Sequence, residues 1–296
     1  VAWGSSLSSE EISRLKPSQK HNHLPGWDSL NNKATLGEVA RTHSSRGSSL
    51  ADNVPLTFVL PQHADELLAH HRRGGGPYIV KPVGGTRGKG IRLMTEVSDA
   101  FLKERRRLVV QQYIMNPHLL QGRKYDLRLY VAVTSSDPLR LYIHEQGYGR
   151  FCSEEYDLSR PQDLHITNSN FQKFHELYAL SGSSSRTRPA GNKWHIDIIR
   201  REWEREGNRG VWERIKTAIT KVFIMFKVLL KFSSRGVAAS QSSCFSLFGI
   251  DVLLDDQLKP WLLELNSLPS TGTSSPLDIE VKTSVINDLL HLLGLV

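Results

Sequence analysis

Residues 248–266 read Phe-Gly-Ile-Asp-Val-Leu-Leu-Asp-Asp-Gln-Leu-Lys-Pro-Trp-Leu-Leu-Glu-Leu-Asn. Two apolar runs flank the polar segment Asp255–Leu258, which predicts an antiparallel hairpin with strands Phe245–Leu254 and Lys259–Leu265. Folding about that turn sets Asp251 opposite either Leu262 or Glu264, and both registers have the same parity. Asp251, Glu264 and Asn266 then project from one face as cross-strand or diagonal neighbours. Val252, Leu253, Leu254, Leu262, Leu263 and Leu265 argue for burial on both faces. Two buried carboxylates and an amide oxygen repel one another unless a cation joins them. Mg²⁺, which takes hard oxygen ligands and few protein carboxylates beside nucleotide phosphates, matches that set. The plain alternative is an exposed hairpin face carrying acids by chance.

Upstream, Ile79-Val-Lys-Pro-Val-Gly-Gly-Thr-Arg-Gly-Lys-Gly-Ile91 reads as strand, glycine-rich turn, strand. Gly84, Gly85, Gly88 and Gly90 let the backbone approach an anion and offer it N–H donors. Lys81, at the end of the first strand, can add a point charge. No Gly-Lys-Ser/Thr opens a helix here, so this is not a Walker A loop. A glycine hairpin with surface lysines would look the same, so this segment alone is even evidence for nucleotide binding. In Lys124–Val133, period two puts Tyr125, Leu127, Leu129, Val131 and Val133 on a core face and Lys124, Asp126 and Arg128 on the other. The charged face fades into Tyr130 and Ala132, unlike a strand solvated along its whole length.

Further strands are predicted at Pro55–Pro61, Tyr78–Val83, Ile91–Met94, Leu108–Tyr113 and Leu139–Glu145, the last pairing with Tyr125–Val133 across the turn at 135–138. Helices are predicted at Leu36–Arg41, from Pro61 to Arg73, at Ser98–Arg105 and at Leu277–Leu293. From Lys193 to Phe232 helical periodicity dominates, with Trp194, Ile198, Trp203, Trp212, Ile215, Ile219 and Phe223 on the inner face. Ser181–Gly191 reads as a polar linker. Strands and helices mix without strict alternation, so the class is α+β with mixed α/β lobes. The expected division is a loop-rich N-terminal lobe over 1–60, a central lobe with the phosphate loop over 61–115, and a C-terminal lobe over 116–296. The last carries the metal hairpin and a basic helical insertion near 186–235.

These pieces follow one another in the order of an ATP-grasp enzyme. The segments HNHLPGWDSLNNK, VPLTFVLP, YIVKPVGGTRGKGI, VVQQYI, GRKYDLRLYVAVTSSDPLRLYIHEQGYGRF, LHITNSNFQK, CFSLFGIDVLLDDQLKPWLLELNSLPS and SPLDIEVK resemble the tubulin tyrosine ligase-like family. They span nearly the whole chain. The tract KWHIDIIRREWEREGNRGVWERIK resembles the glutamylase branch. The resemblance implies an ATP-grasp fold with nucleotide between the central and C-terminal lobes. It implies that Lys81, with Arg87, Gly88 and Gly90 of the loop, meets phosphate, and that Gln111, Gln112, Tyr113 and Ile114 line the adenine pocket. Lys124 and Asp126 would meet phosphate and ribose or adenine groups; His165, Thr167 and Asn168 belong to a His-x-Thr-Asn motif near ribose and phosphates. Arg128 and Arg150 would act in catalysis by holding carboxylates of the acceptor and the incoming amino acid, with Glu264 catalytic through the metal. Lys282 would lie near the amino-acid site. The sequence departs from the family after Thr-Asn, where Ser169-Asn170 replaces an aromatic residue, and at Asn266-Ser-Leu-Pro-Ser270; neither change removes a proposed ligand.

The activity so implied is ATP- and Mg²⁺-dependent addition of free L-glutamate to glutamate side chains of acidic tubulin tails. The enzyme is expected as a cytoplasmic monomer on microtubules, cilia or basal bodies. The formal charge of +8 in 296 residues suits an anionic partner. Between Arg186 and Arg235 thirteen Lys/Arg face five Asp/Glu, an excess that could steer an acidic tail. Nucleic acid would explain the charge but not the hairpin. The same fold adding glycine or tyrosine, or an inactive microtubule-binding module, stay open as alternatives. Cys152 and Cys244 allow at most one disulfide, so a reducing compartment is the default. The chain opens at Val1 without Met, VAWGSSLSSEE is too polar for a signal peptide, and Val222–Phe232 is too short to cross a membrane.

Overall fold

The computed structural model describes residues 3–4, 7–16, 18–84, 90–103, 106–157, 159, 167, 191–233 and 243–296. Its strands are β1 (Thr57–Leu60), β2 (Tyr78–Pro82), β3 (Arg92–Met94), β4 (Leu108–Gln112), β5 (Leu119–Leu120), β6 (Arg123–Ser136), β7 (Leu139–Phe151), β8 (Lys193–His195), β9 (Ser246–Leu254) and β10 (Pro260–Asn266). Its α-helices are α1 (Ser9–Ser13), α2 (Lys33–Ser44), α3 (Ala64–Arg72), α4 (Asp99–Lys103), α5 (Ile196–Arg205), α6 (Val211–Ser233) and α7 (Pro276–Leu292). A four-stranded sheet runs β1-β4-β2-β3, and a larger one runs β10-β9-β6-β7-β8 with β5 beside β6. All named strand pairs are antiparallel. The α+β class therefore stands.

In the small sheet, period two sorts the residues cleanly. Phe58, Leu60, Tyr78, Val80 and Val110 pack with Leu67 of α3 and Phe101 of α4 in one cluster. The other face carries Val59 and Val109 against Ala34 of α2. Helix α2 comes close to β1 because residue 37 is glycine: a Cβ there would stand 2.4 Å from Thr57 Cγ2. β1 hydrogen-bonds in this sheet although it precedes residue 61, so the sheet straddles the boundary expected at 60.

In the large sheet, Tyr125, Leu127, Leu129, Val131 and Val133 join the main core with Trp194, Ile198, Trp203, Ile215, Ile219 and Phe223, as the helical periodicity predicts. Each such large apolar side chain contributes about 1.5–3 kcal/mol on burial. The helical tract forms two helices, with Gly207 and Gly210 both taking left-handed φ between them. Lys193–His195 is a strand, because it pairs with Tyr148–Arg150 of β7, and His195 Nδ1 caps α5 by accepting from Asp197 N. Pro61 stands before α3 rather than inside its first turn, and α3 begins at Ala64. Strand β7 runs to Phe151, six residues beyond the predicted end, its outer half pairing with Tyr125–Leu129. On the opposite face of β6, Tyr130 and Ala132 pack under Leu277, Val281, Val285 and Leu289 of α7. No described helix is long and apolar enough to cross a membrane.

Candidate active site between the two sheets

The chain leaves the small sheet at Gln112 and enters the large one at Leu119, and its connecting segment is pinned to the hairpin turn. Asp256 N donates to Asn116 O (2.8 Å) and His118 N to Leu254 O (2.9 Å). The two sheets stand around a cleft at this junction. Its walls are Ile79, Lys81, Ile91, Gln111, Gln112, Tyr113 and Ile114 from the first sheet and its exit. Opposite them stand Lys124, Asp126, Arg150, Thr167, Asp251, Leu253, Leu263 and Glu264. Most of these lining residues are the ones singled out in the sequence.

Two buried ammonium groups mark one end. Lys81 Nζ donates to Gln111 Oε1 (2.9 Å), whose Nε2 donates to Thr57 Oγ1 (3.1 Å). Burial lowers the Lys81 pKa, with Glu264, Asp251 and Asp126 pulling it back up and Lys33 adding to the fall. Lys124 Nζ donates to Tyr113 Oη (2.8 Å) and stands 4.5 Å above that ring. Burial pushes its pKa down to about 8. Concentrating cationic groups in a desolvated cleft favours a multiply charged anion.

The floor is a grid of opposed charges across three strands. Arg150 donates through Nε and Nη2 to the two Asp126 oxygens, both at 2.6 Å. Its Nη2 also lies 2.9 Å from Asp251 Oδ2, while Arg128 Nε donates to Asp251 Oδ1 at 2.6 Å. Thr167 Oγ1 donates to Asp126 Oδ2 (2.7 Å). Burial alone would raise the Asp251 pKa, but Arg128 and Arg150 overcome it and hold the carboxyl down to about 2. The carboxylates hold the Arg150 pKa well above its usual range.

The hairpin folds as read, with Asp251 opposite Glu264 and Asn266 opposite Gly249. One detail differs. The ladder slips between Leu262 and Glu264, so Leu262 pairs with Val252 and lies in the main core while Leu263 and Glu264 both line the cleft. The two registers of the sequence reading put Leu262 and Glu264 on one face; the bulge separates them. Nor do the two acids stand without cations as the hairpin's sequence implies: Arg128 and Arg150 face Asp251, and Lys33 Nζ lies 3.3 Å from Glu264 Oε1. Among the described residues no group of three or more His, Cys, Asp or Glu gathers as a metal cage. The donor set still fits a Mg²⁺ ion that keeps most of its ligands from phosphate and water: two cleft-lining carboxylates with Asn266 on their face.

Other predicted residues fall as follows. Arg128 reaches the site through Asp251. Asn266 Nδ2 donates to Gly249 O (3.3 Å). Gly90 takes φ +73°, a backbone that favours glycine. Lys282 lies on α7 and its Nζ donates to Gly272 O, beside the loop that follows β10. Arg87, Gly88, His165 and Asn168 lie outside the described residues, as does most of the Ser181–Gly191 linker. Sequence reading missed Lys33, Thr57, Ile79, Leu253 and Leu263. Alternation could have found Ile79 beside Lys81 and Leu253 beside Asp251; Lys33 and Thr57 reach the site through tertiary packing alone.

An α+β domain with a cation-lined cleft between two antiparallel sheets is the ATP-grasp-like arrangement. The tubulin-tyrosine ligase family matches residues 11–295, and the chain belongs to it. It is 35% identical over 304 residues to tubulin polyglutamylase TTLL5 of Mus musculus, covering 100% of this chain and 23% of that protein. Against tubulin monoglutamylase TTLL4 of Homo sapiens it is 36% identical over 305 residues, covering 99% and 25%. Against tubulin polyglutamylase ttll-4 of Caenorhabditis elegans it is 34% identical over 302 residues, covering 99% and 48%. The chain thus spans about a quarter of the first two relatives and about half of the third.

Proposed function

We propose that the chain is an ATP-dependent glutamate ligase acting on glutamate side chains of tubulin tails, with ATP bound in the cleft between the sheets. The observation that carries this reading is the pairing of the Lys81–Lys124 wall with the Asp251–Glu264 floor in a member of this family. The relatives' names, polyglutamylase and monoglutamylase, support glutamate as the amino acid added.

Adenine lies between Ile79 and Leu253 or Leu263, against the Gln112–Ile114 backbone, and the phosphates point to Lys81 and Lys124. The acceptor's side-chain carboxylate oxygen attacks the γ-phosphorus, the bond to the β–γ bridging oxygen breaks, and ADP leaves. The α-amine of free glutamate then attacks the acyl carbon. The C–O bond of the acylphosphate breaks, inorganic phosphate departs and the amine releases a proton. Lys81 and Lys124 supply fixed positive charge where the phosphoryl group moves. Arg150 and Arg128 keep the floor oriented and supply positive potential for carboxylates. Glu264, Asn266 and Asp251 would hold Mg²⁺, which supplies charge neutralisation at the phosphates. The basic α5–α6 face would attract the acidic tail, with the enzyme working at microtubules as a monomer.

The test incubates the chain with tubulin, ATP, Mg²⁺ and, in parallel, glutamate, glycine or tyrosine, and reads tail masses. Glutamate alone should add mass, and Glu264→Gln should abolish the gain. Incorporation of glycine or tyrosine instead would overturn the amino-acid assignment. Unchanged masses with all three would overturn the ligase reading.

A further inference from the structure

Lys33 is the first residue of α2, behind the cap in which Asn32 accepts from Ala34 N. A cation at that end opposes the helix dipole, so helix stability does not explain it. Its Nζ instead faces Glu264, both side chains mostly shielded at 15% and 24% exposure. One turn on, Gly37 lets α2 sit hard against Thr57, which fixes where Lys33 can reach. Lys33 is also near enough to Lys81 to press on its charge. Both Asp251 oxygens are held by guanidinium groups at 2.6 and 2.9 Å, whereas the Lys33–Glu264 contact is longer. Of the two cleft-lining carboxylates of the hairpin, Glu264 is therefore the one held more loosely.

We propose that Lys33 is a positioning residue: its ammonium holds Glu264 before nucleotide and metal bind and passes to the phosphate end when a divalent cation takes that carboxylate. This rests on the reading of the hairpin as the metal face. Lys33 thereby competes with metal in the absence of nucleotide and assists nucleotide once metal is bound. The two effects have opposite signs, which simple damage to the fold would not produce.

The test measures Mn²⁺ binding to the nucleotide-free chain by electron paramagnetic resonance, and binding of a non-hydrolysable ATP analogue with Mg²⁺ by calorimetry. For Lys33→Met, Mn²⁺ should bind about two- to five-fold tighter and the analogue weaker by a similar factor, the scale of a partly exposed ion pair. Lys33→Arg should leave both within about two-fold of the unaltered chain. Weaker binding of both ligands by Lys33→Met would overturn the proposal, and so would unchanged values. If the unaltered chain binds no Mn²⁺ and Glu264→Gln changes nothing, the hairpin reading fails and takes this one with it. Mn²⁺ binding that Glu264→Gln removes but Lys33→Met leaves unaltered would overturn only the role of Lys33.

Discussion

Replacing Arg150 with methionine keeps much of the side chain's volume and removes the charge at the centre of the grid. In the folded chain Arg150 serves Asp126 and Asp251 together, with side-chain exposures of 7%, 4% and 7%. Removing one partner of so buried a pair leaves uncompensated charge and costs about 3–5 kcal/mol. Against a typical total stability of about 5–15 kcal/mol, that is a large share. At roughly 2–4 °C per kcal/mol, the unfolding temperature should fall by roughly 6–20 °C. Urea unfolding followed by tryptophan fluorescence gives the free energy, and calorimetry gives the temperature. The loss should shrink when Asp126→Asn is added, because Asp251 keeps Arg128 and the carboxylate that loses its arginine is then gone. It should also shrink in acid. Asp251, depressed from 3.8 to about 2, stabilises the fold above pH 3.8 and loses that contribution as pH falls towards 2. Without Arg150 the carboxyl protonates more readily, so the gap between variant and parent narrows below pH 3.8. A loss under about 1 kcal/mol at neutral pH, the scale of an exposed pair, would refute the reasoning.

Three further predictions concern the same cleft. Lys124 is half-deprotonated near pH 8 and a phosphate would restore its proton, so nucleotide binding should take up protons above pH 8 and much less at pH 6; calorimetry in buffers of different ionisation enthalpy reads this, and Lys124→Met should remove it. By linkage the unfolded chain holds this proton up to 10.5, so between pH 8 and 10.5 the group's effect is to raise stability with pH. Gly37→Val should cost about 1–3 kcal/mol in urea unfolding, because its Cβ alone would fall 2.4 Å from Thr57 Cγ2. Thr57→Val removes the hydroxyl that accepts from Gln111 Nε2, loosening the Gln111–Lys81 link, and equilibrium dialysis should show nucleotide binding weakened about five- to ten-fold.

Patterns local in sequence were legible. Alternation alone separates Tyr125, Leu127 and Leu129 from Lys124, Asp126 and Arg128, and the turn at 255–258 narrows the partner of Asp251 to Leu262 or Glu264, the bulge after Leu262 then setting it opposite Glu264. What stayed hidden was non-local. Nothing near Glu264 in sequence announces Lys33, more than two hundred residues earlier; α2 must pack on β1 before the two meet. The arginine partners of Asp251 come from β6 beside it and from β7 one strand further on, in a sheet whose register the sequence does not state, so a cluster of acids read as a demand for metal is already partly answered by protein. The bulge at Leu263 is hidden for another reason. Leu262, Leu263 and Leu265 are all apolar, so the run around Glu264 does not show which leucine faces the core and which the cleft.

The central claim, ligation through a phosphorylated carboxylate in this cleft, has one direct measurement. Tubulin-tail peptides whose glutamate side chains carry oxygen-18 are incubated with the chain, ATP, Mg²⁺ and glutamate, and the released phosphate is analysed by mass spectrometry. Each glutamyl residue added should deliver a labelled oxygen to phosphate, because the acyl C–O bond breaks and the P–O bond formed from the carboxylate survives. Glutamyl addition accompanied by unlabelled phosphate would contradict the account.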